Sequence, residues 1–341
     1  MGGCAEPAPA PRPLRILILG GTGFVGPNQV RTALAHGHEI TLFNRGRTNP
    51  ELFPDLETLI GDRNDDLSAL EGDREWDVVI DNPANLPRWV RTATEVLAGR
   101  VGKYAYVSST GVYVPYLTTD ITEDAPTDTI EDPETEVVDG RTFGALKALC
   151  EDATREAFPE NHLVFRPTYI VGPGDPTDRF TYWPVRLGRG GETLAPGDPA
   201  DPMQHVDVRD LSAFMIDAIE NDLTGTLNVV GPREPLTMGG LLERTRAAVE
   251  SDATLVWVDA EFLREHGHFA VTYWTKPEGD YLGMMQVNGD RSFAAGFDPR
   301  PLEETARDTL AWFSLEEPRE LRSGFAPEEE AELLAAFPSA G

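Results

Sequence analysis

The stretch Arg15-Ile-Leu-Ile-Leu-Gly-Gly-Thr-Gly-Phe-Val-Gly26 decides the fold. Ile16 to Leu19 is an unbroken apolar run, the pattern of a strand buried on both faces. It flows directly into glycines at 20, 23 and 26, and the residues beyond, through Val30 and Leu34, carry helical spacing. Strand, glycine turn and helix in that order make an anion site, because glycine permits the tight turn and the helix start offers unpaired N–H groups to a pyrophosphate. Pro27 suits the first helical turn, where its missing N–H would have had no partner. Gly20, Thr22, Gly23, Phe24, Val25 and Gly26 are therefore the expected dinucleotide-binding residues.

Further motifs follow in order. Glu39-Ile-Thr-Leu-Phe43 has the pattern of a second strand, Leu59-Ile60 precedes Asp62-Arg63, and Val78-Val-Ile80 runs into Asn82-Pro83-Ala84. Tyr104-Ala-Tyr-Val107 leads into Ser108-Ser109-Thr110-Gly111-Val112-Tyr113. Arg166-Pro167 through Gly172-Pro173, and His205-Val-Asp-Val-Arg-Asp210, come later. Together these motifs resemble the extended short-chain dehydrogenases/reductases, the NAD-dependent epimerase/dehydratase family, from Leu14 to about Phe313.

The resemblance implies an α/β fold, a doubly wound parallel Rossmann sheet with a smaller C-terminal substrate lobe. Residues 14–173 would form the dinucleotide-binding domain, completed by about 203–231 and 288–313, and residues 174–202 and 232–287 the lobe. Residues 1–13 have the composition of a Pro/Ala tether. Residues 314–341 are an acidic tail, with a short surface helix expected around Glu328–Leu334.

Cofactor choice is made at the end of the second strand. An Asp or Glu there binds both ribose hydroxyls of NAD, whereas a 2′-phosphate calls for a cation. Asn44 takes the acid's place and Arg45 and Arg47 follow, so NADP is expected, with NAD as the alternative because Asn44 can still bond a plain ribose. The resemblance puts Asp62 and Arg63 on the adenine side.

Phe143-Gly-Ala-Leu-Lys147 stands where the family carries its Tyr-x-x-x-Lys helix. Residues four apart project from one helix face. The resemblance implies that Lys147 fixes the nicotinamide ribose and lowers a phenol pKa, with Ser109 as the neighbouring hydroxyl and a tyrosine as the proton carrier. Phe143 keeps that tyrosine's shape and lacks its oxygen. One reading is an inactive Tyr-to-Phe form of an NAD(P)-dependent epimerase or reductase acting on a secondary alcohol or ketone of a sugar-like substrate. The alternative is a non-catalytic nucleotide-binding or sensing member, or one that uses Tyr113 or His205 as its acid. Thr110-Gly111 occupies the place of the Asp-Glu pair of family dehydratases, which disfavours dehydration. Thr110, Arg179, Tyr182, Trp183 and His205 are the expected substrate contacts.

Composition bounds the partners. Lys+Arg 29 against Asp+Glu 58 gives a formal charge of -29, which repels nucleic acid and anionic membranes. No apolar run is long enough to span a bilayer. A small-molecule substrate is the expected partner, and the resemblance implies a homodimer. Cys4 and Cys150 provide neither a disulfide framework nor a thiolate cluster, and the pairs His36/His38 and His266/His268 lack zinc-site spacing, so no metal is expected. A cytoplasmic location is expected. Alternatively, Gly2-Gly3-Cys4 ahead of the Pro/Ala tract resembles the remnant of a lipoprotein signal, with Cys4 as the lipid-bearing residue of an exported protein.

Overall fold

A computed structural model describes residues 12–82 and 84–337. Cys4, nearly all of the Pro/Ala tract and Pro83 lie outside the described residues. Strands β1 (Arg15–Leu19), β2 (Glu39–Asn44), β3 (Glu57–Ile60), β4 (Trp76–Asp81), β5 (Val101–Val107) and β6 (His162–Pro167) enter one parallel sheet. After β7 (Ile170–Val171), β8 (Glu192–Pro196) and β9 (Pro202–Asp207), strand β10 (Gly225–Val229) completes it, in the order β10-β6-β5-β4-β1-β2-β3. Residues 16–19 are essentially inaccessible, because helices cover both faces of the sheet.

Helices α1 (Gly26–Ala35), α2 (Pro87–Val96), α3 (Phe143–Ala157), α4 (Tyr182–Gly188), α5 (Val208–Glu220) and α6 (Met238–Ala248) follow local rules. Proline opens α1 and α2, and the Asp207 and Thr237 side chains accept the Arg209 and Gly240 N–H groups at the starts of α5 and α6. Helix α1 packs on α5, and α2 on α3. The chain winds from β1 outward to β3 and then returns to β4 on the other side of β1. That reversal opens a crevice above the carboxyl ends of β1 and β4, the switch point where such sheets bind ligands.

The smaller lobe contains β8 paired with β12 (Thr254–Val258) in parallel, with α4 and α6 beside them; β11 (Gly231–Thr237) pairs with β9. Two segments behave differently from the sequence expectation. Phe293 and Phe297 return to the sheet layer at Phe214, but helix Leu302–Leu315 packs on α6 and α4, with the lobe. The acidic C-terminal segment forms helix Pro327–Ala336, yet Glu330 and Leu333 are buried. Glu330 accepts bonds from Arg186 Nε (2.5 Å) and the Leu194 N–H (2.9 Å), so this helix is part of the lobe's packing and not a free surface element. Among the described residues, no helix is long and apolar enough to cross a membrane.

Candidate active site

The glycine turn after β1 is shaped by contacts that a side chain would break. A Cβ on Gly26 would lie 2.4 Å from the Gly20 carbonyl oxygen, and Gly20 itself has φ +87°. A Cβ on Gly23 would meet nothing within 4 Å, so the turn opens outward there. Helix α1 begins above it with no side-chain cap and no acid in its first turn. Pro27 has no N–H, and Asn28 and Gln29 donate theirs to the Val25 carbonyl (3.1 and 3.3 Å), so the Gly26 N–H and the turn before it are what face an anion. The helix is locked to the crevice by a buried reciprocal amide pair: Gln29 Nε2 donates to Asn82 Oδ1 (3.1 Å) and Asn82 Nδ2 to Gln29 Oε1 (2.5 Å).

Asn44 ends β2 with its Oδ1 accepting the Gly46 N–H at 3.1 Å, while its buried Nδ2 has no partner among the described residues. Such a donor suits a ribose oxygen, and together with the open turn it makes the crevice fit a dinucleotide. Arg45 and Arg47 are exposed and form no ion pair among the described residues. Asp62 follows β3 half-buried, its Oδ1 accepting the Asn64 N–H. Arg63 departs from its expected role: its guanidinium meets the fully buried Asp81 carboxylate at 2.8 Å, donates to the Asn82 carbonyl at 3.1 Å and lies over the Trp89 ring. It braces the end of β4 instead of facing adenine.

Ser109 follows β5 and caps the short turn Thr110–Tyr113, accepting the Gly111 N–H at 3.0 Å and keeping its own proton free to donate. The Phe143 ring, at the start of α3, flanks the same spot: a Cβ on Gly111 would stand 3.0 Å from Phe143 Cε1 and 3.2 Å from Ser109 Oγ. Gly144 lets helix and turn touch, since a Cβ there would come within 2.3 Å of the Gly111 oxygen. One turn into α3, Lys147 is buried and donates to the carbonyls of Ala84 (3.0 Å) and Val107 (2.6 Å), with Nζ 4.5 Å from the Tyr106 ring centroid. An ammonium has three hydrogens, so one remains for a ribose hydroxyl. Burial pulls Lys147 down to about 8.

A buried network, not read from the sequence, holds these parts in register. Glu151, four residues beyond Lys147, accepts from Ser108 Oγ (2.6 Å) and from Arg166 Nε and Nη2 (2.9 and 2.6 Å). Arg166 also donates to the Tyr113 hydroxyl (2.6 Å), which donates to Asn228 Oδ1 (2.7 Å). Tyr113 is therefore an anchored structural phenol, not an alternative acid. The sequence signal was a glutamate on the same face as Lys147, opposite the Arg166-Pro167 motif.

The expected substrate contacts divide. Thr110 is buried beside the Tyr116 phenol. Arg179 is half-buried, with its guanidinium 5.2 Å from the Tyr169 ring centroid and without a carboxylate partner among the described residues. Tyr182 and Trp183 are corrected: both are buried in the lobe core, with Tyr182 against Gly324 and Trp183 Nε1 donating to Thr272 Oγ1 at 3.1 Å. His205 is likewise buried, its ring 5.7 Å from that of Phe180, and burial lowers its pKa from 6.5 to about 4. It stays neutral at ordinary pH and serves as core. Because its folded pKa is depressed, its stabilising effect is complete above 6.5 and lost as pH falls through 4. That effect is worth on the order of 3 kcal/mol. His205→Phe should flatten stability over this window, as checked by urea unfolding at pH 7 and pH 4.5.

Among the described residues one cluster has metal-ligand composition: His36 Nδ1 and His38 Nε2 lie 3.1 and 2.9 Å from one Glu220 oxygen. His38 Nδ1 accepts the Leu14 N–H at 3.2 Å, so the ring's proton resides on Nε2 and that nitrogen is no ligand. The cluster ties α1 to α5.

The sequence model of the NAD dependent epimerase/dehydratase family matches residues 16–231, and the chain belongs to that family. The epimerase family protein SDR39U1 of Bos taurus is 30% identical over 240 residues, covering 66% of this chain and 76% of the relative. The chloroplast stem-loop binding protein of 41 kDa b of Arabidopsis thaliana is 27% identical over 230 residues, covering 61% of this chain and 56% of the relative. The fold matches the crystal structure of human SDR39U1 (isoform 2) with NADPH at TM-score 0.60, with 20% identity over 87% of this chain and 99% of the other. It matches UDP-glucuronic acid 4-epimerase of Bacillus cereus in complex with NAD at TM-score 0.63, with 14% identity over 88% and 99%.

Proposed function

We propose that this chain is an NAD(P)-dependent oxidoreductase or epimerase scaffold for a secondary alcohol or ketone of a sugar-like substrate, and that Phe143 leaves it binding cofactor with little turnover. The observation that carries this reading is the convergence, around one switch point, of the glycine turn, the Ser109 hydroxyl and the Lys147 ammonium. A bound nicotinamide would accept or donate hydride there. Ser109 would orient the substrate oxygen, and Lys147 would hold the ribose through its remaining hydrogen. The missing piece is a proton carrier at position 143. Relatives named as sugar epimerases support the sugar-like substrate. A formal charge of -29 supports a partner other than nucleic acid, despite the stem-loop binding named for one relative.

NADP is the proposed cofactor, since Arg45 and Arg47 are exposed beside Asn44 and form no ion pair among the described residues. Fluorescence titration should show NADPH binding tighter than NADH. Replacing both arginines by alanine should cost NADPH about tenfold in affinity and leave NADH unchanged, as expected for two solvent-exposed ion pairs. Equal affinity for the two dinucleotides in the parent chain would reverse the assignment to NAD.

A further inference from the structure

A cleft of about 360 Å³ adjoins the catalytic turn, within the size range of small-molecule sites. Its walls are largely apolar: Tyr113, Val114, Pro115, Leu117, Ile121 and Ala125, with three threonines and one carboxylate, Asp128. Among the described residues no lysine or arginine lines it. Arg179 is turned onto Tyr169 and is not in the wall.

The cleft lies next to the Ser109 turn and the start of α3, although neither Ser109 nor Phe143 lines it. Tyr113 ends the turn that Ser109 caps, and the Asp128 N–H donates to the Val112 carbonyl at 2.6 Å. Asp128 Oδ2 lies 3.1 Å from where a Cβ on Gly144, the residue after Phe143, would stand. An exposed apolar patch lies beside it. Leu117 is 60% exposed, and the Tyr116 N–H and C=O bond to Asp280 and Gly283, which brings the exposed Tyr281 and Leu282 alongside. Phe269, half exposed, packs its ring 5.3 Å from that of Tyr281. On so acidic a surface, a cluster of exposed apolar side chains beside a cleft is the kind of patch that binding uses.

We propose that the substrate carries, beside its reacting carbinol, an uncharged apolar substituent seated in this cleft. The substrate class is then an apolar-substituted sugar-like alcohol, not a nucleoside diphosphate sugar. This rests on the carbinol-oxidising reading above and narrows it. A diphosphate placed here would meet the Asp128 carboxylate and no cation, so it gains no ion pair and suffers like-charge repulsion. An alkyl or aryl group would cover the Val114, Leu117 and Ile121 surfaces and leave water behind.

The test uses the chain as it is, loaded with NADPH, and the neutral fluorophore N-phenyl-1-naphthylamine as probe. Octyl β-D-glucoside below its micelle threshold should displace the probe, and UDP-glucose should do so at least about tenfold less well. Ala125→Trp, which fills the cleft, should abolish probe binding with NADPH affinity unchanged. Asp128→Lys should admit UDP-glucose. Displacement by UDP-glucose as effective as by the glucoside would overturn the proposal, and so would probe binding that survives Ala125→Trp. A chain that binds no NADPH would sink the oxidoreductase reading, while the displacement series would still decide the cleft.

Discussion

Phe143→Tyr is expected to raise the rate of hydride transfer by about 10²–10⁴, the usual contribution of one positioned general acid. The geometry around the position is ready for the phenol. The Phe143 ring already lies against Gly111, on the spot flanked by Ser109 Oγ, where a Cβ on Gly111 would crowd the ring. Lys147, four residues on, is fixed by two carbonyls with a charged head inside the protein. An ammonium so placed stabilises the phenolate left after proton donation. With Lys147 lowered to about 8 by burial, the reductive gain should fade as pH rises through that value and the amine loses its charge. Single-turnover oxidation of prebound NADPH against a panel of keto-sugars, run for both chains between pH 6 and pH 9, measures rate and profile together. A tyrosine form that binds NADPH as tightly as the parent and remains as slow would favour the non-catalytic reading.

What the sequence revealed depended on how local the cause was. The run from Arg15 to Gly26 specifies its strand, turn and helix through residues adjacent in the chain, and the family match to residues 16–231 is anchored there. Side-chain fates set by distant partners were hidden. Arg63 looks like a cofactor residue in its own segment, but Asp81 and Asn82, brought beside it by the sheet, capture it. Tyr182 and Trp183 have faces that suit either a ligand or a core, and only the packing of residues around 272 and 324 decides for the core. Glu330 sits in a strongly acidic stretch that reads as solvated, yet Arg186, far back in the chain, draws it inside. Glu151 was invisible for the same reason: Ser108 just after β5 and Arg166 on β6 hold it, with Arg155 of its own helix as a local partner.

That pair carries the second large expectation. Arg166→Met should destabilise the protein by about 3–5 kcal/mol, because it removes one partner of a buried ion pair and strands the other. Glu151 would keep only Ser108 and Arg155 as donors, and the Tyr113 hydroxyl would lose its own. Burial alone would raise the Glu151 pKa, yet the bonds from Arg166 hold it below the ordinary carboxylate value. A depressed carboxyl stabilises above its unfolded pKa and ceases to do so as pH falls through the folded one. The deficit of the variant should therefore shrink as pH falls, because Glu151 in the folded variant, raised by burial without Arg166, takes up its proton before Glu151 in the parent does. Urea unfolding of parent and variant at pH 7 and pH 3.5 measures both effects, and a loss under about 1 kcal/mol at pH 7 would mean that the pair contributes no more than a surface ion pair. Because Ser108 precedes Ser109 and Glu151 lies one turn beyond Lys147, loosening the pair should also weaken NADPH binding at temperatures where the variant is still folded. A purely structural pair remote from the crevice would leave that affinity unmoved.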